Sequence, residues 1–105
     1  MTRAIPVNDG GKVTGYLVQC PACAADGSGA SCHEFVVGWW TFSGDLERPT
    51  FSPSMLATAV YGAHGPGRRE HRCHSFVRDG KIQYLSDCTH AMAGQTVDLP
   101  DFDAV

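Results

Sequence analysis

Residues 72–85, RCHSFVRDGKIQYL, are the stretch that decides the fold of this chain. Two runs rich in aromatic and β-branched side chains flank Asp79-Gly80. A two-residue Asp-Gly connection is typical of a tight β-hairpin, because glycine tolerates the positive φ that the turn requires. The stretch therefore predicts antiparallel strands over 72–78 and 81–85. The first of them carries Cys73 and His74, whose side chains must point to opposite faces since strand side chains alternate.

A second motif, Cys20-Pro21-Ala22-Cys23, follows a predicted strand over 13–19. Cys-x-x-Cys in a turn directs two sulfurs toward one tetrahedral metal, and Pro21 stiffens that turn. A thioredoxin-like redox role needs the motif at the start of a helix, whereas residues 24–31, with two glycines, predict a loop. The chain has five cysteines, an odd number that fits a fully paired disulfide framework poorly, so metal binding is preferred and disulfides are the alternative.

Structural zinc prefers four protein ligands, so the CPAC pair needs two more. Cys73 and His74 cannot both serve one ion because they alternate along a strand, and the same holds for Cys32 and His33. The preferred zinc site consists of Cys20, Cys23, His33 and Cys73. In the nearest rival, His90 replaces His33 or Cys73. Outside CPAC, each residue also has a structural interpretation, as a buried cysteine or a hydrogen-bonded histidine.

The rest of the pattern is also mainly β. Residues 34–42 are nearly continuously apolar, which predicts a strand buried on both faces or a large hydrophobic surface, with Trp39, Trp40 and Phe42 as an alternative binding platform. Two prolines predict an extended loop over 43–54, and further strands are expected over 55–61 and 96–99. One helical turn is expected over 86–93, ended by Gly94. The fold class is thus a small zinc-stabilised, mainly β domain of antiparallel hairpins with one short helical turn, spanning residues 1–105 as a single domain.

If Cys73 faces a metal, His74 faces away from it, toward the end of the hairpin where Asp87 and His90 are expected. Asp87 and His90 are three apart on the expected helical turn, so the carboxylate could orient an imidazole, or both could bind a second metal. His74, Asp87 and His90 are therefore the candidate catalytic residues for activating water in hydrolysis. In the structural alternative, Asp87 caps the turn and His90 packs beneath it. A third interpretation makes Cys88 a nucleophile.

Composition and charge restrict the partners. The 105 residues are 43% hydrophobic and 18% charged, with a formal net charge of -3, so attraction to a phosphate backbone is not expected and the basic run over 68–72 is interpreted as a solvated loop. No stretch reaches the ~20 apolar residues of a membrane span, and the N-terminus lacks the apolar centre of a signal peptide. We therefore expect a cytoplasmic protein. Its expected partner is another protein, with no nucleic acid and no membrane, and its oligomeric state stays open.

Three segments carry a resemblance: CPAC at 20–23, WTFSGDLERPTFSPS at 40–54 and RCHSFVRDGKIQYLSDCTHAMAGQTVDLP at 72–100. They resemble a family of small proteins of bacteriophages, prophages and bacteria, often labelled "ammonia monooxygenase", over most of residues 18–100. The resemblance implies metal binding and a phage or prophage origin. Relatives lie beside bacterial ubiquitin-like conjugation genes, which implies a peptidase or accessory role. The oxygenase label finds no support, because the possible copper ligands lie next to thiols that suit zinc better.

These observations together predict a small zinc-binding accessory or binding protein of bacteriophage or prophage origin, in which zinc is mainly structural. The first alternative is a small zinc-dependent, peptidase-like hydrolase that uses His74, Asp87 and His90. The second alternative is a phage virion component.

Overall fold

The computed structural model describes residues 2–25, 32–61 and 69–102, and these residues form eight strands and one helix. In chain order the elements are β1 Ala4–Asp9, β2 Lys12–Gln19, α1 Pro21–Ala25, β3 Cys32–Val36, β4 Thr41–Phe42, β5 Phe51–Tyr61, β6 Arg69–Arg78, β7 Lys81–Tyr84 and β8 Thr96–Asp98. The prediction of a mainly β fold built from antiparallel hairpins is confirmed.

The strands form two antiparallel sheets, one of three strands in the order β1-β2-β3 and one of five strands in the order β4-β5-β6-β7-β8. The predicted β6–β7 hairpin is present, with φ of 51° at Asp79 and 77° at Gly80, as a tight turn of this kind requires. Strand β1 was not predicted. It pairs with β2 through a Gly10-Gly11 turn, a dipeptide that also favours such hairpins.

The five-stranded sheet has an inner face, which packs against the three-stranded sheet, and an outer face. Along β6 the buried residues alternate with more exposed ones, so Cys73, Ser75 and Val77 lie on the inner face and His74 on the outer face. Aromatic rings join the two sheets at one end. Phe35 of β3 stacks on Phe51 of β5 with 4.2 Å between ring centroids.

Two expectations about the middle of the chain are wrong. The strand predicted over 34–42 is interrupted, because β3 ends at Val36 and the chain turns before the two-residue β4, leaving Trp39 78% exposed. The extended loop predicted over 43–54 stops short, because β5 begins at Phe51. Pro53 is accommodated there by an irregularity in register between Phe51 and Met55, the kind of position in a sheet that tolerates proline.

The helix is not where the sequence placed it. Helix α1 begins directly after Cys20, with Pro21 at its first position, where the missing N–H costs nothing. Residues 86–93 instead form hydrogen-bonded turns, in which the Cys88 N–H donates to the Leu85 carbonyl at 3.3 Å. Gly94 does have the expected positive φ, 80°.

The loop expected over 24–31 falls mostly outside the described residues. Near the C-terminus, the Phe102 N–H donates to the Thr2 carbonyl at 2.8 Å. The basic run is not a solvated loop where it is described, since β6 begins at Arg69 and His71 is buried.

Candidate metal centre and catalytic triad

Four buried side chains converge between the two sheets. Their ligand atoms all lie within 4.8 Å of one another, so the cluster could hold a metal ion. The residues are Cys20 at the end of β2, Cys23 in α1, His33 in β3 and Cys73 on the inner face of β6. An ion held here would join the three-stranded sheet to the five-stranded sheet. Cys32, the neighbour of His33, is exposed and points away from the cluster.

The distances in this cluster suit a tetrahedral ion. Zinc bound to sulfur at ~2.3 Å and to imidazole nitrogen at ~2.0 Å, with tetrahedral angles, separates two sulfurs by about 3.8 Å and a sulfur from a nitrogen by about 3.5 Å. The Cys20 and Cys73 sulfurs are 3.8 Å apart, and the Cys23 sulfur lies 3.6 Å from His33 Nε2. The donor set of three thiols and one imidazole is typical of structural zinc.

The thiols of the cluster also differ in their acidity. Hydrogen bonds from Cys23 and then Cys73 hold the pKa of the Cys20 thiol far below its ordinary range. The hydrogen bonds of Cys73 with Cys20 and then Cys23 raise its own pKa far above that range. A bound dication would remove this difference, because coordinating thiols lose their protons.

Two further side chains contact the cluster, and sequence reasoning assigned them no role. The Tyr84 hydroxyl lies 3.2 Å from the Cys20 sulfur and accepts a hydrogen bond from the Ala22 N–H at 3.3 Å, so its own proton is directed at the sulfur. His71 Nε2 lies 3.3 Å from the Cys23 sulfur. Such outer contacts orient metal ligands and tune their charge.

His90 does not join the CPAC pair. Among the described residues it groups with Cys73 and Cys88 in a second, three-membered cluster. The His90 ring packs edge-on against Tyr84 with 4.7 Å between centroids, and its Nδ1 accepts a hydrogen bond from the Met92 N–H at 3.2 Å. The rival ligand set, in which His90 completes the site of Cys20 and Cys23, is therefore not assembled among the described residues.

The outer face of the five-stranded sheet brings together two of the three predicted catalytic residues. His74 Nδ1 lies 3.1 Å from Asp87 Oδ2 and 3.2 Å from Asp87 Oδ1. His90 is held elsewhere, so the expected grouping of His74 and Asp87 with His90 is not formed. The metal-capable clusters of the described residues contain neither His74 nor Asp87.

Ser54 takes the place expected for His90. Its hydroxyl lies 3.1 Å from His74 Nε2, on the opposite side of the ring from Asp87. An ionised Asp87 carboxylate can only accept hydrogen bonds. The proton of a neutral His74 imidazole therefore lies on Nδ1, which donates to Asp87. Nε2 is then free of a proton and accepts a hydrogen bond from the Ser54 hydroxyl. Ser54, His74 and Asp87 thus form one hydrogen-bonded chain with the order and polarity of a serine-hydrolase triad.

Backbone contacts hold the three residues in place. Ser54 is near the start of β5, and its carbonyl accepts a hydrogen bond from Trp40 Nε1 at 3.3 Å. Cys88 accepts from the His74 N–H and donates to the His74 carbonyl, each at 3.2 Å. Because Asp87 precedes Cys88 in the chain, the same contact that fixes the His74 backbone also places the carboxylate.

The triad is open to solvent, whereas the metal cluster is not. The side chain of His74 is 26% exposed and that of Asp87 is 46% exposed. A substrate could therefore reach the Ser54 hydroxyl from the outer face. The fold and the site together define a small β protein with a Ser–His–Asp arrangement on one face and a metal-capable Cys/His cluster on the other.

This chain belongs to the family described as bacterial ubiquitination-like system serine protease (BubE), whose family model matches residues 3–85. The matched segment includes Ser54 and His74 and ends two residues before Asp87. Neither the curated proteins nor the solved structures gave a match to the chain. Within the described residues, no helix has both the length and the apolar character needed to cross a membrane.

Ser54 was missed because no hydrogen-bond partner for it is evident from the sequence. It is the last residue of the segment FSPS, which sequence reasoning assigned to a loop, and it lies twenty positions before His74. Once β5 is known to begin at Phe51, the register places Leu56 opposite His74, and Ser54 lies two residues earlier on the same face. The signal was the strand pairing, which depends on a bulge that the sequence did not reveal.

Proposed function

We propose that this chain is a serine protease in which Ser54 is the nucleophile, His74 the general base and Asp87 the residue that orients the imidazole. The observation that carries the proposal is the unbroken hydrogen-bonded chain from the Ser54 hydroxyl through His74 to Asp87. The description of the family as a serine protease supports it. Because the family is described as part of a bacterial ubiquitination-like system, we propose a protein of such a system as the substrate.

In this mechanism the Ser54 oxygen attacks a carbonyl carbon while His74 Nε2 takes the hydroxyl proton. The carbonyl C–N bond then breaks, and the amine leaves with the proton that His74 returns to it. Water, deprotonated by the same nitrogen, attacks the acyl group on Ser54, releasing a carboxylic acid and restoring the hydroxyl. Asp87 keeps the Nδ1 proton in place and stabilises the imidazolium that forms in each half of the reaction.

The metal cluster has a different role in this proposal. Zinc bound by Cys20, Cys23, His33 and Cys73 would cross-link the two sheets, and with four protein ligands it would leave no open position for substrate. We favour the serine mechanism over a zinc-dependent hydrolase because Ser54 and Asp87 engage both ring nitrogens of His74, so neither nitrogen is directed at a metal. Zinc as the metal and a phage or prophage origin stay predictions from the sequence.

The test is covalent labelling of the purified protein with a fluorophosphonate, a small reagent that phosphorylates activated serines. Labelling is expected at Ser54, and the Ser54→Ala variant should lose labelling and reduce peptide hydrolysis by ~10⁶-fold, since loss of the nucleophile removes the function of the whole triad. Ser52→Ala is the matched control, because Ser52 is an exposed serine two residues earlier on β5. Equal labelling of the Ser54→Ala and wild-type proteins would contradict the proposal.

A structural binding protein is the second candidate, supported by the buried four-ligand cluster. It makes the opposite prediction for the same experiment. In that case the fluorophosphonate labels neither protein, while the metal content and thermal stability of Ser54→Ala remain those of the wild type.

A further inference from the structure

The edge of β5 that faces away from β6 is covered by other parts of the chain only as far as Ser54. Before that residue the edge is covered, since the Ser43 N–H donates to the Thr50 carbonyl at 3.0 Å and the Thr41 hydroxyl donates to the Ser52 carbonyl at 3.3 Å. At Ser54 itself the carbonyl accepts from Trp40 Nε1. Strand β4 ends at Phe42, and its pairing with β5 comprises only Thr41 with Ser52 and Phe42 with Phe51. The covered part of the edge therefore stops at the proposed nucleophile.

The register shows which backbone groups lie beyond that point. Opposite Leu56 is His74, whose N–H and carbonyl bond to Cys88 and Leu85 on the far side of β6. Opposite Thr58 is Arg72, whose N–H and carbonyl bond to Thr89. The N–H and the carbonyl of one strand residue point to the same side. Because those of His74 and Arg72 point away from β5, Leu56–His74 and Thr58–Arg72 are non-hydrogen-bonded pairs of the β5–β6 ladder. The N–H and carbonyl groups of Leu56 and Thr58 consequently point outward, away from β6.

These outward groups have no protein partner within residues 2–25, 32–61 and 69–102. A row of open N–H and carbonyl groups on a sheet edge is a template for pairing with another extended chain. Native proteins blunt such edges with charges or prolines. Here the edge segment after Ser54 carries neither, and Leu56 and Val60 are 55% and 50% exposed.

A cavity lies on the outer face of the sheet, over β5 and β6. It has a volume of about 160 Å³ and is lined by Thr58, Val60, Glu70, His71, Arg72 and Thr89. Thr58 is two residues beyond Leu56 and Arg72 two residues before His74, so the cavity lies next to the triad on the outer face. An extended chain paired with β5 would direct alternate side chains toward it.

We propose that the substrate of this protein is an extended polypeptide segment that binds as an added antiparallel strand on the open edge of β5, beginning beside Ser54. The proposal rests on the proposed serine protease function and names the substrate class for it. Main-chain hydrogen bonds to Leu56 and Thr58 provide affinity, and the cavity receives a side chain two register positions from the triad. Unfolded tails and linkers fit this edge, whereas the interior of a folded domain does not.

The test compares Thr58→Pro with Thr58→Ala. Proline removes the outward N–H without breaking the β5–β6 ladder, because that N–H does not point to β6, whereas alanine removes only the side chain. Each protein is mixed with an unfolded peptide library prepared from a cell digest, and the cleaved peptides are quantified by mass spectrometry. Thr58→Pro is expected to lower cleavage about five- to tenfold relative to Thr58→Ala, in keeping with one lost hydrogen bond. Fluorophosphonate labelling of Ser54 in both variants measures how much protein retains an assembled triad, and cleavage is normalised to it.

Each outcome has a separate meaning. Absence of labelling in the wild type would overturn the proposed protease function itself. Labelling without cleavage of any library peptide would overturn the extended-segment substrate. Equal cleavage by Thr58→Pro and Thr58→Ala would overturn pairing along β5.

A second measurement avoids any effect of the proline on folding. The most rapidly cleaved library peptide is resynthesised with a single N-methyl group at each backbone nitrogen in turn and tested on the unaltered protein. Pairing along one strand edge uses every second N–H of the peptide, so cleavage should fall at alternate positions. Uniform losses, or no losses at all, would overturn the proposed mode of binding.

Discussion

The two faces of β6 differ although their key residues are adjacent in the chain. Cys73 on the inner face is fully buried among three other side chains that could bind a metal ion, whereas His74 on the outer face is partly open to solvent. A closed site with four protein ligands suits a contribution to folding, and an open hydrogen-bonded chain suits the binding and cleavage of a substrate. Alternation along a single strand thus places a residue of the metal-capable cluster and a residue of the proposed triad next to each other in the chain.

The largest expected effect is on the inner face. Removing the metal with a chelator should unfold the protein, because structural zinc contributes about 10 kcal/mol or more to folding in small domains. Cys73→Ser should lower the free energy of unfolding by several kcal/mol for the same reason. Elemental analysis of protein purified without chelator should find about one zinc per chain, and thermal unfolding measures the loss of stability.

Cys32→Ser is the matched control for this experiment. Cys32 is next to His33 in β3 but exposed, so its replacement should leave both the zinc content and the unfolding temperature unchanged. Less than about half an equivalent of zinc in the wild type, or equal stability of the Cys73 and Cys32 variants, would show that the inner cluster is not a structural metal site.

The next effect belongs to the outer face. Asp87→Asn should reduce kcat by about 10⁴-fold with the fold and zinc content unchanged, because an amide no longer fixes the imidazole tautomer that serves as base. Asp98→Asn is the control, since Asp98 is also an exposed aspartate in an ion pair, with Lys81 at 2.6 Å. If the two variants retain equal activity on a cleavable peptide, Asp87 has no part in the reaction.

The contrast between the faces was predictable because it depends on local rules. The Asp79-Gly80 turn fixed the β6–β7 hairpin, and alternation along β6 placed Cys73 and His74 on opposite faces. The meeting of His74 with Asp87 followed from the same hairpin. The convergence of Cys73 with Cys20, Cys23 and His33 depended on how two sheets pack, and it was a hypothesis that metal-ligand chemistry favoured over its rivals.

What the sequence did not reveal depends on irregular or long-range structure. Ser54 lies at a register shift in a strand that contains Pro53, and general rules exclude proline from regular strands. His90 was misplaced because a helical turn was expected where the chain forms consecutive turns, which direct its ring to Tyr84 instead of Asp87. In both cases the error began with the type of secondary structure assigned to the segment, which sets the direction of its side chains.

The smallest of these effects concerns Cys88, which links the two faces. The Cys88 sulfur lies close to the ligand atoms of Cys73 and His90. It also makes hydrogen bonds with the N–H and the carbonyl of His74. Burial raises the pKa of the Cys88 thiol, so it retains the proton that it donates to the His74 carbonyl. Cys88→Ala should lower kcat about tenfold with KM unchanged, because losing hydrogen bonds of ~1 kcal/mol each lets the imidazole move away from Ser54.

Cys88→Ser distinguishes positioning of His74 from simple packing. A serine hydroxyl can accept from the His74 N–H and donate to its carbonyl as the thiol does, so it should restore kcat to within a few-fold of the wild type. Loss of kcat in the alanine variant without recovery in the serine variant would assign Cys88 to packing. If Cys88→Ala instead loses its zinc, Cys88 is a metal ligand and the separation of the two faces is incomplete. Unchanged zinc content together with recovery by serine would show that the inner cluster holds the fold while the Cys88 thiol sets the geometry of the triad.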